Sequence, residues 1–116
     1  MTGQRAAGRD PAEQDPAERD PAGAGQDQVR LVAWVHGHVQ GVGFRWWTRS
    51  RALELGLVGY AANKTDGRVH VVAEGSRRAC VELVDLLRGG GSPGRVELVV
   101  DTWEPPRGDL TGFRER

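Results

Sequence analysis

The sequence predicts an α+β sandwich over residues 29 to 116, with the order strand, helix, strand, strand, helix, strand. Three observations carry this expectation. Apolar side chains alternate along four short runs, the period of half-buried strands. Two further segments repeat their apolar residues every three or four positions, as helices with one buried face do. Glycine-rich or proline-rich punctuation stands between most of these six segments.

The first strand is read from Val29, Leu31, Ala33 and Val35, which alternate with Arg30, Val32, Trp34 and His36 and give one strongly buried face. After a glycine-rich stretch at residues 37 to 43, the residues Phe44, Trp47, Thr48, Ala52 and Leu55 mark an amphipathic helix that Gly56 ends. Residues 57 to 63 and 68 to 74 read as a hairpin around Lys64-Thr65-Asp66-Gly67, where Asp-Gly supplies the turn. Ser76 is a candidate N-cap for a second helix whose buried face is Cys80, Leu83, Val84 and Leu87, broken by Gly89-Gly90-Gly91. Val96, Leu98 and Val100 alternate with Glu97, Val99 and Asp101 in a fourth strand that runs towards Trp103 and stops at Pro105-Pro106. Phe113 is left to anchor a short last segment. Two right-handed crossovers sharing a hairpin make the ferredoxin-like split-βαβ sandwich, an antiparallel sheet with both helices on one face. That fold hosts enzymes, metal carriers and RNA binders, so function must be sought in the loops.

A chain of 116 residues has room for one domain of ordinary size. Residues 1 to 28 are expected to be a disordered tail, because Met1 is their only aliphatic residue larger than Ala and Asp-Pro-Ala recurs at Asp10, Asp15 and Asp20. So little apolar area cannot offset the entropy of ordering. Formal net charge is zero, but three Arg stand against six Asp and Glu up to Gln28, leaving thirteen basic and ten acidic groups beyond it. A balance near +3 favours small anions without demanding nucleic acid. Cys80 is the single cysteine, which excludes an internal disulfide and a cysteine-rich zinc site, and it reads as a small buried hydrophobe. No apolar run has the length of a signal peptide or membrane span, so a cytoplasmic, membrane-free protein is expected.

Val35-His36-Gly37-His38-Val39-Gln40-Gly41-Val42-Gly43-Phe44-Arg45 leaves a strand and enters a helix. A helix start presents unpaired N–H groups and the positive end of the helix dipole. Gly37, Gly41 and Gly43 let the backbone turn sharply or a ligand come close, while Val39 and Val42 point inward and hold the shape. Arg45, in the first turn, carries a fork of donors able to grip two phosphate oxygens. The same residues would equally serve a tight turn followed by a solvated arginine, and these alone leave both readings open. No Gly-Lys-Ser/Thr ending and no third glycine of a dinucleotide fingerprint are present, which argues against ATP, GTP and NAD.

Val35 to Arg45 resembles the phosphate-binding loop of the acylphosphatases. Gly59-Tyr60-Ala61-Ala62-Asn63, followed by Gly67, Val69 and Gly75, resembles their second signature. Two motifs in the right order are more specific than either alone, and the likeness extends over nearly all of residues 29 to 116. It implies a hydrolase that cleaves the carboxyl-phosphate bond of acyl phosphates without metal or cofactor. It also implies that the backbone of Val39, Gln40, Gly41, Val42, Gly43 and Phe44 binds phosphate together with Arg45, and that Asn63 positions the attacking water. Inorganic phosphate or sulfate would fit the same loop, and a monomer is expected. Tyr60 stands where the family usually has a bulky aromatic residue, and Ala62 replaces a common polar or basic one. His38 stands where many members carry Lys or Arg, which makes activity sensitive to pH near neutrality an expectation.

Other residues have plainer readings. Asn63 would also suit the shaping of a hairpin. His36, His38 and His70 lack a Cys or carboxylate cluster at ligand spacing. Trp47 is expected in the core, Trp34 on the sheet face away from the helices, and Trp46 beside the loop, where either of the last two could touch an acyl chain. The competing function is a non-catalytic phosphate- or RNA-binding module on the same fold, for which Trp34, Arg68 and His70 make a weak case. An acylphosphatase-like module in a larger assembly, as in carbamoyl-transferring hydrogenase maturation proteins, ranks last, since their cysteine-rich zinc motifs are missing.

Overall fold

A computed structural model describes residues 27 to 116. Residues 1 to 26, which hold the three Asp-Pro-Ala copies, lie outside the described residues. The strand begins earlier than its alternation suggests: β1 is Gln28–His38, and the Asp27 carbonyl accepts a hydrogen bond from the Arg77 amide at 2.9 Å. The chain continues through α1 (Phe44–Glu54), β2 (Val58–Asn63), β3 (Val69–Ser76), α2 (Arg77–Arg88), β4 (Arg95–Glu104) and β5 (Phe113–Glu115).

The sheet order is β4-β1-β3-β2-β5. β1 pairs antiparallel with β3 and β4, and β2 antiparallel with β3, as the expected topology requires. The sheet is nevertheless mixed and not wholly antiparallel, because β5 lies parallel to β2, with Gly59 opposite Phe113 and Ala61 opposite Glu115. To reach that edge the chain leaving β4 must cross the sheet. Glu74 on β3 holds the crossing: its carboxylate accepts from the amides of Arg107 at 3.0 Å and Gly108 at 3.1 Å, and from Arg30 Nη1 at 2.5 Å. A three-residue strand has too little periodicity to be read from sequence, so only its anchor Phe113 was visible there.

The core fills the space between the sheet and the helices. Leu31, Ala33, Val35, Val69, Val71, Ala73, Ala61 and Val99 face it from the strands, and Phe44, Ala52, Cys80, Leu83, Val84 and Leu87 from the helices. Each fully buried large side chain contributes roughly 1.5–3 kcal/mol. α1 packs on β2 and β5, and α2 on β1, β3 and β4. Trp47 is partly buried against this core beside Phe44, with ring centroids 6.0 Å apart.

The helices begin differently, and the difference matters for function. α2 has the expected cap, in which Ser76 Oγ accepts from the Ala79 amide at 3.1 Å. α1 has no side-chain cap, and its N-cap position is Gly43 in the left-handed region, with φ of 85°. Its opening amides are therefore left for another acceptor.

Candidate functional site

The loop at the N-terminus of α1 is shaped by packing on both sides. Near the end of β1 the register with β4 shifts between His36, opposite Leu98, and Gly37, opposite Val96, so β4 carries one extra residue there and the pairing continues to His38 and Arg95 before the loop begins. Gly37 has φ of 135°, and a Cβ there would collide with the main-chain oxygen of Arg95. Val39 is buried and Val42 packs against the core, so both valines hold the loop from inside. Gly41 and Gly43 have open space where a side chain would stand.

From Gln40 to Trp46 no main-chain N–H finds an acceptor among the described residues, and the first bond of α1 is donated by the Trp47 amide to the Gly43 carbonyl at 3.0 Å. Free amides in a glycine-rich turn at the positive end of a helix form an anion cradle. With Val39, whose amide likewise finds no acceptor among the described residues, this stretch contains all the sequence-derived loop residues, Val39, Gln40, Gly41, Val42, Gly43 and Phe44, and extends to Arg45 and Trp46.

Arg45 and Asn63 come together through a third residue. Arg45 Nη1 donates to the main-chain oxygen of Arg116 at 2.7 Å, and the Asn63 main-chain N–H donates to the same oxygen at 3.0 Å. The Arg116 amide in turn donates to the Ala61 carbonyl at 2.8 Å, which extends the pairing of β5 with β2. One Arg45 donor is thus anchored, and the rest of its guanidinium has no partner among the described residues. The Asn63 side chain is exposed at the end of β2 and has no partner among the described residues.

Two side-chain ties link the loop and helix to the neighbouring strands. Gln40 Nε2 donates to the carbonyls of Lys64 at 2.7 Å and Arg68 at 3.0 Å. Arg49 Nε donates to the Phe113 carbonyl at 2.9 Å. Sequence reasoning credited Gln40 with its backbone alone and missed Arg116. A glutamine inside a glycine-rich turn is a weak signal that its amide has a partner. Nothing local marks Arg116, because its role depends on which strand β5 joins.

The other singled-out residues lie apart from this cluster. His36 and His38 line an open groove with Gly37, Asp66, Gly67, Arg68 and Glu97. Neither Arg45 nor Asn63 lines it, and among the described residues no group of three His, Cys, Asp or Glu converges as a metal site. Trp34 does lie on the sheet face away from the helices, but its ring stacks on His70 at 4.0 Å and carries the Arg68 guanidinium at 4.1 Å. Tyr60 meets His70 edge-on, and Arg116 lies over Tyr60 at 3.9 Å. These rings pack against one another within the protein. Burial, and then the charges of Lys64, Arg68 and Arg30, lower the His70 pKa. Burial pushes the Cys80 thiol up to about 11, in keeping with a structural residue. Trp46 is 61 % exposed beside Arg45.

Fold and loop together define a small α+β domain whose anion cradle, at the start of a helix, is braced against the end of an adjacent strand. The family model described as Acylphosphatase matches residues 31–115. An acylphosphatase of Nocardia farcinica is 74% identical over 90 residues, covering 78% of this chain and 90% of its own. Among solved structures, the acylphosphatase from Bacillus subtilis aligns with a TM-score of 0.71 at 31% identity, over 76% of this chain and 98% of that one. An acylphosphatase from Coxiella burnetii aligns with a TM-score of 0.72 at 33% identity, over 80% and 97% of the two chains. The chain belongs to the acylphosphatase family.

Proposed function

We propose that this protein hydrolyses acyl phosphates to a carboxylate and inorganic phosphate, with Arg45 and the loop amides holding the phosphoryl group and Asn63 placing the water. The observation that carries the assignment of residues is the convergence of Arg45 and Asn63 on one oxygen beside a row of unpaired amides.

An acyl phosphate is a mixed anhydride whose leaving carboxylate is a weak base, so it departs without protonation and needs no strong general acid. The barrier lies in aligning water with phosphorus and in stabilising charge on the equatorial oxygens. The amides from Gln40 to Trp46 and the free donors of Arg45 supply that stabilisation. Asn63 is neutral at every working pH. Its amide oxygen accepts a hydrogen bond from water, and its backbone is fixed by Arg116, so the water is oriented without a titrating group. A phosphate oxygen of the substrate then takes the water's proton.

On this reading the catalyst requires no metal and acts as a cytoplasmic monomer, and inorganic phosphate or sulfate occupies the loop when substrate is absent. Among the described residues no helix is long and apolar enough to cross a membrane. Phosphate release from benzoyl phosphate by the purified protein in EDTA, beside an Arg45→Ala variant, tests the whole reading. Full parent activity and a variant slower by orders of magnitude are the expected result. Phosphate binding without turnover would instead favour a non-catalytic binder.

A further inference from the structure

The loop that holds the phosphate and the strand end that carries Asn63 belong to different elements, so something must set the distance between them. Arg45 and Asn63 share the Arg116 oxygen on one side. The other tie is the Gln40 side chain. Its nitrogen reaches both carbonyls at the mouth of the turn that joins β2 to β3, Lys64 at 2.7 Å and Arg68 at 3.0 Å. That mouth is closed by the Lys64 amide, which donates to the Arg68 carbonyl at 2.9 Å, and by the Gly67 amide, which donates to the Lys64 carbonyl at 3.1 Å. Gln40 therefore grips a hydrogen-bonded frame, and the residue directly before Lys64 in that frame is Asn63.

A primary amide suits this place for a specific reason. Its NH₂ group has two N–H donors, one for each carbonyl, and it carries no charge beside the phosphate site. A carboxylate of the same shape would turn two acceptors towards two acceptors. A lysine would reach the carbonyls but add a permanent positive charge to the loop.

Resting on the hydrolase reading above, we propose that the Gln40 side chain is a positioning residue, which sets the separation between the bound phosphoryl group and the water held by Asn63. It touches neither substrate nor water. Its loss leaves the amides and Arg45 able to bind phosphate but lets the water site drift, and a displacement near 1 Å can cost on the order of 100-fold in rate.

The test compares Gln40→Ala, Gln40→Met and Gln40→Glu with the parent in benzoyl phosphate hydrolysis, with inorganic phosphate as a competitive inhibitor. Melting curves confirm that each variant is folded. Gln40→Met keeps length and neutrality without the donors, and guards against a failure of the Ala variant to fold. The expected result is a kcat lowered by roughly 10- to 100-fold in the Met and Ala variants, while the inhibition constant of phosphate stays within about threefold of the parent. Gln40→Glu is expected to be at least as slow as Gln40→Met, although it is closer to Gln in shape. A Gln40→Met or Gln40→Glu variant with parental kcat would overturn the proposal, and so would losses of phosphate affinity and kcat in equal proportion. A parent that releases no phosphate at all would instead remove the hydrolase reading, and this proposal with it.

Discussion

At the scale of single residues, the proposed mechanism divides labour between groups that hold charge and a group that places water, and substitutions should separate the two. Arg45→Ala removes the guanidinium that meets Asn63 at the Arg116 oxygen. It is expected to weaken inhibition by phosphate and to lower kcat/KM by roughly 100- to 1000-fold, the loss typical of one preorganised donor to a developing negative charge. Asn63→Ala leaves the cradle and its arginine in place. The expected signature is a kcat lowered by a similar factor with phosphate inhibition unchanged, as measured by steady-state kinetics with inorganic phosphate as inhibitor. An Asn63 variant as active as the parent would end the water-placing role.

At the scale of elements, the cradle depends on how β1 ends. Opposite His36 and Gly37 the register with β4 shifts by one residue, and the main chain of Arg95 passes close behind Gly37. Gly37→Ala adds a methyl group against backbone that has no side chain to move aside, at a φ that suits glycine. A stability loss of about 2 kcal/mol or more in urea unfolding is expected, together with lower affinity for phosphate, because the loop starts at this residue. The other element that sequence alone undervalued is the crossing from β4 to β5. Glu74 ties it through the Arg107 and Gly108 amides and through Arg30, and both charged side chains are less than a tenth exposed. Glu74→Ala leaves the buried Arg30 charge facing the longer, exposed ion pair with Asp109 at 3.5 Å and releases the segment that brings β5 to β2. Unfolding experiments should register a loss of about 3–5 kcal/mol.

At the scale of the whole molecule, acid should unfold the domain in stages. Burial, reinforced by the positive charges of Lys64, Arg68 and Arg30, lowers the His70 pKa in the folded state. The unfolded chain then binds a proton to this residue at a higher pH than the native protein does, so stability rises with pH across that interval. The penalty is absent above the ordinary histidine value of about 6.5 and grows as the pH falls below it. Carboxylates act further down the scale. Burial raises the Glu74 pKa, but the amides of Arg107 and Gly108 and the Arg30 guanidinium outweigh it and hold the group low. Hydrogen bonds from Arg88 and Trp103 do the same for Asp101. Their stabilisation is complete above the unfolded carboxylate range and is lost as pH falls through their depressed native values. Melting temperatures between pH 7 and pH 4 should therefore decline first through His70. In a His70→Gln variant that first decline should flatten, while the later fall remains.

Much of this molecule is written locally. The alternation of β1, the helical spacing around Phe44 and Leu83, the Ser76 cap and the glycine-rich approach to Arg45 each follow from side chains a few positions apart, and the structure repeats them with shifts of a residue or two at the ends. The parallel pairing of β5, the gathering of Arg45 and Asn63 on the Arg116 oxygen, and the reach of Gln40 to Lys64 and Arg68 were decided only in three dimensions. Periodicity reports which face of an element is buried where only one face is apolar, as in β1 and the helices, because water is excluded residue by residue along it. In β4 the alternation of Val96, Leu98 and Val100 points to the wrong face, since Val99 is buried while Leu98 and Val100 are exposed. Periodicity carries no information about which distant carbonyl a given N–H will meet, since that partner is chosen by how the whole sheet and its helices pack.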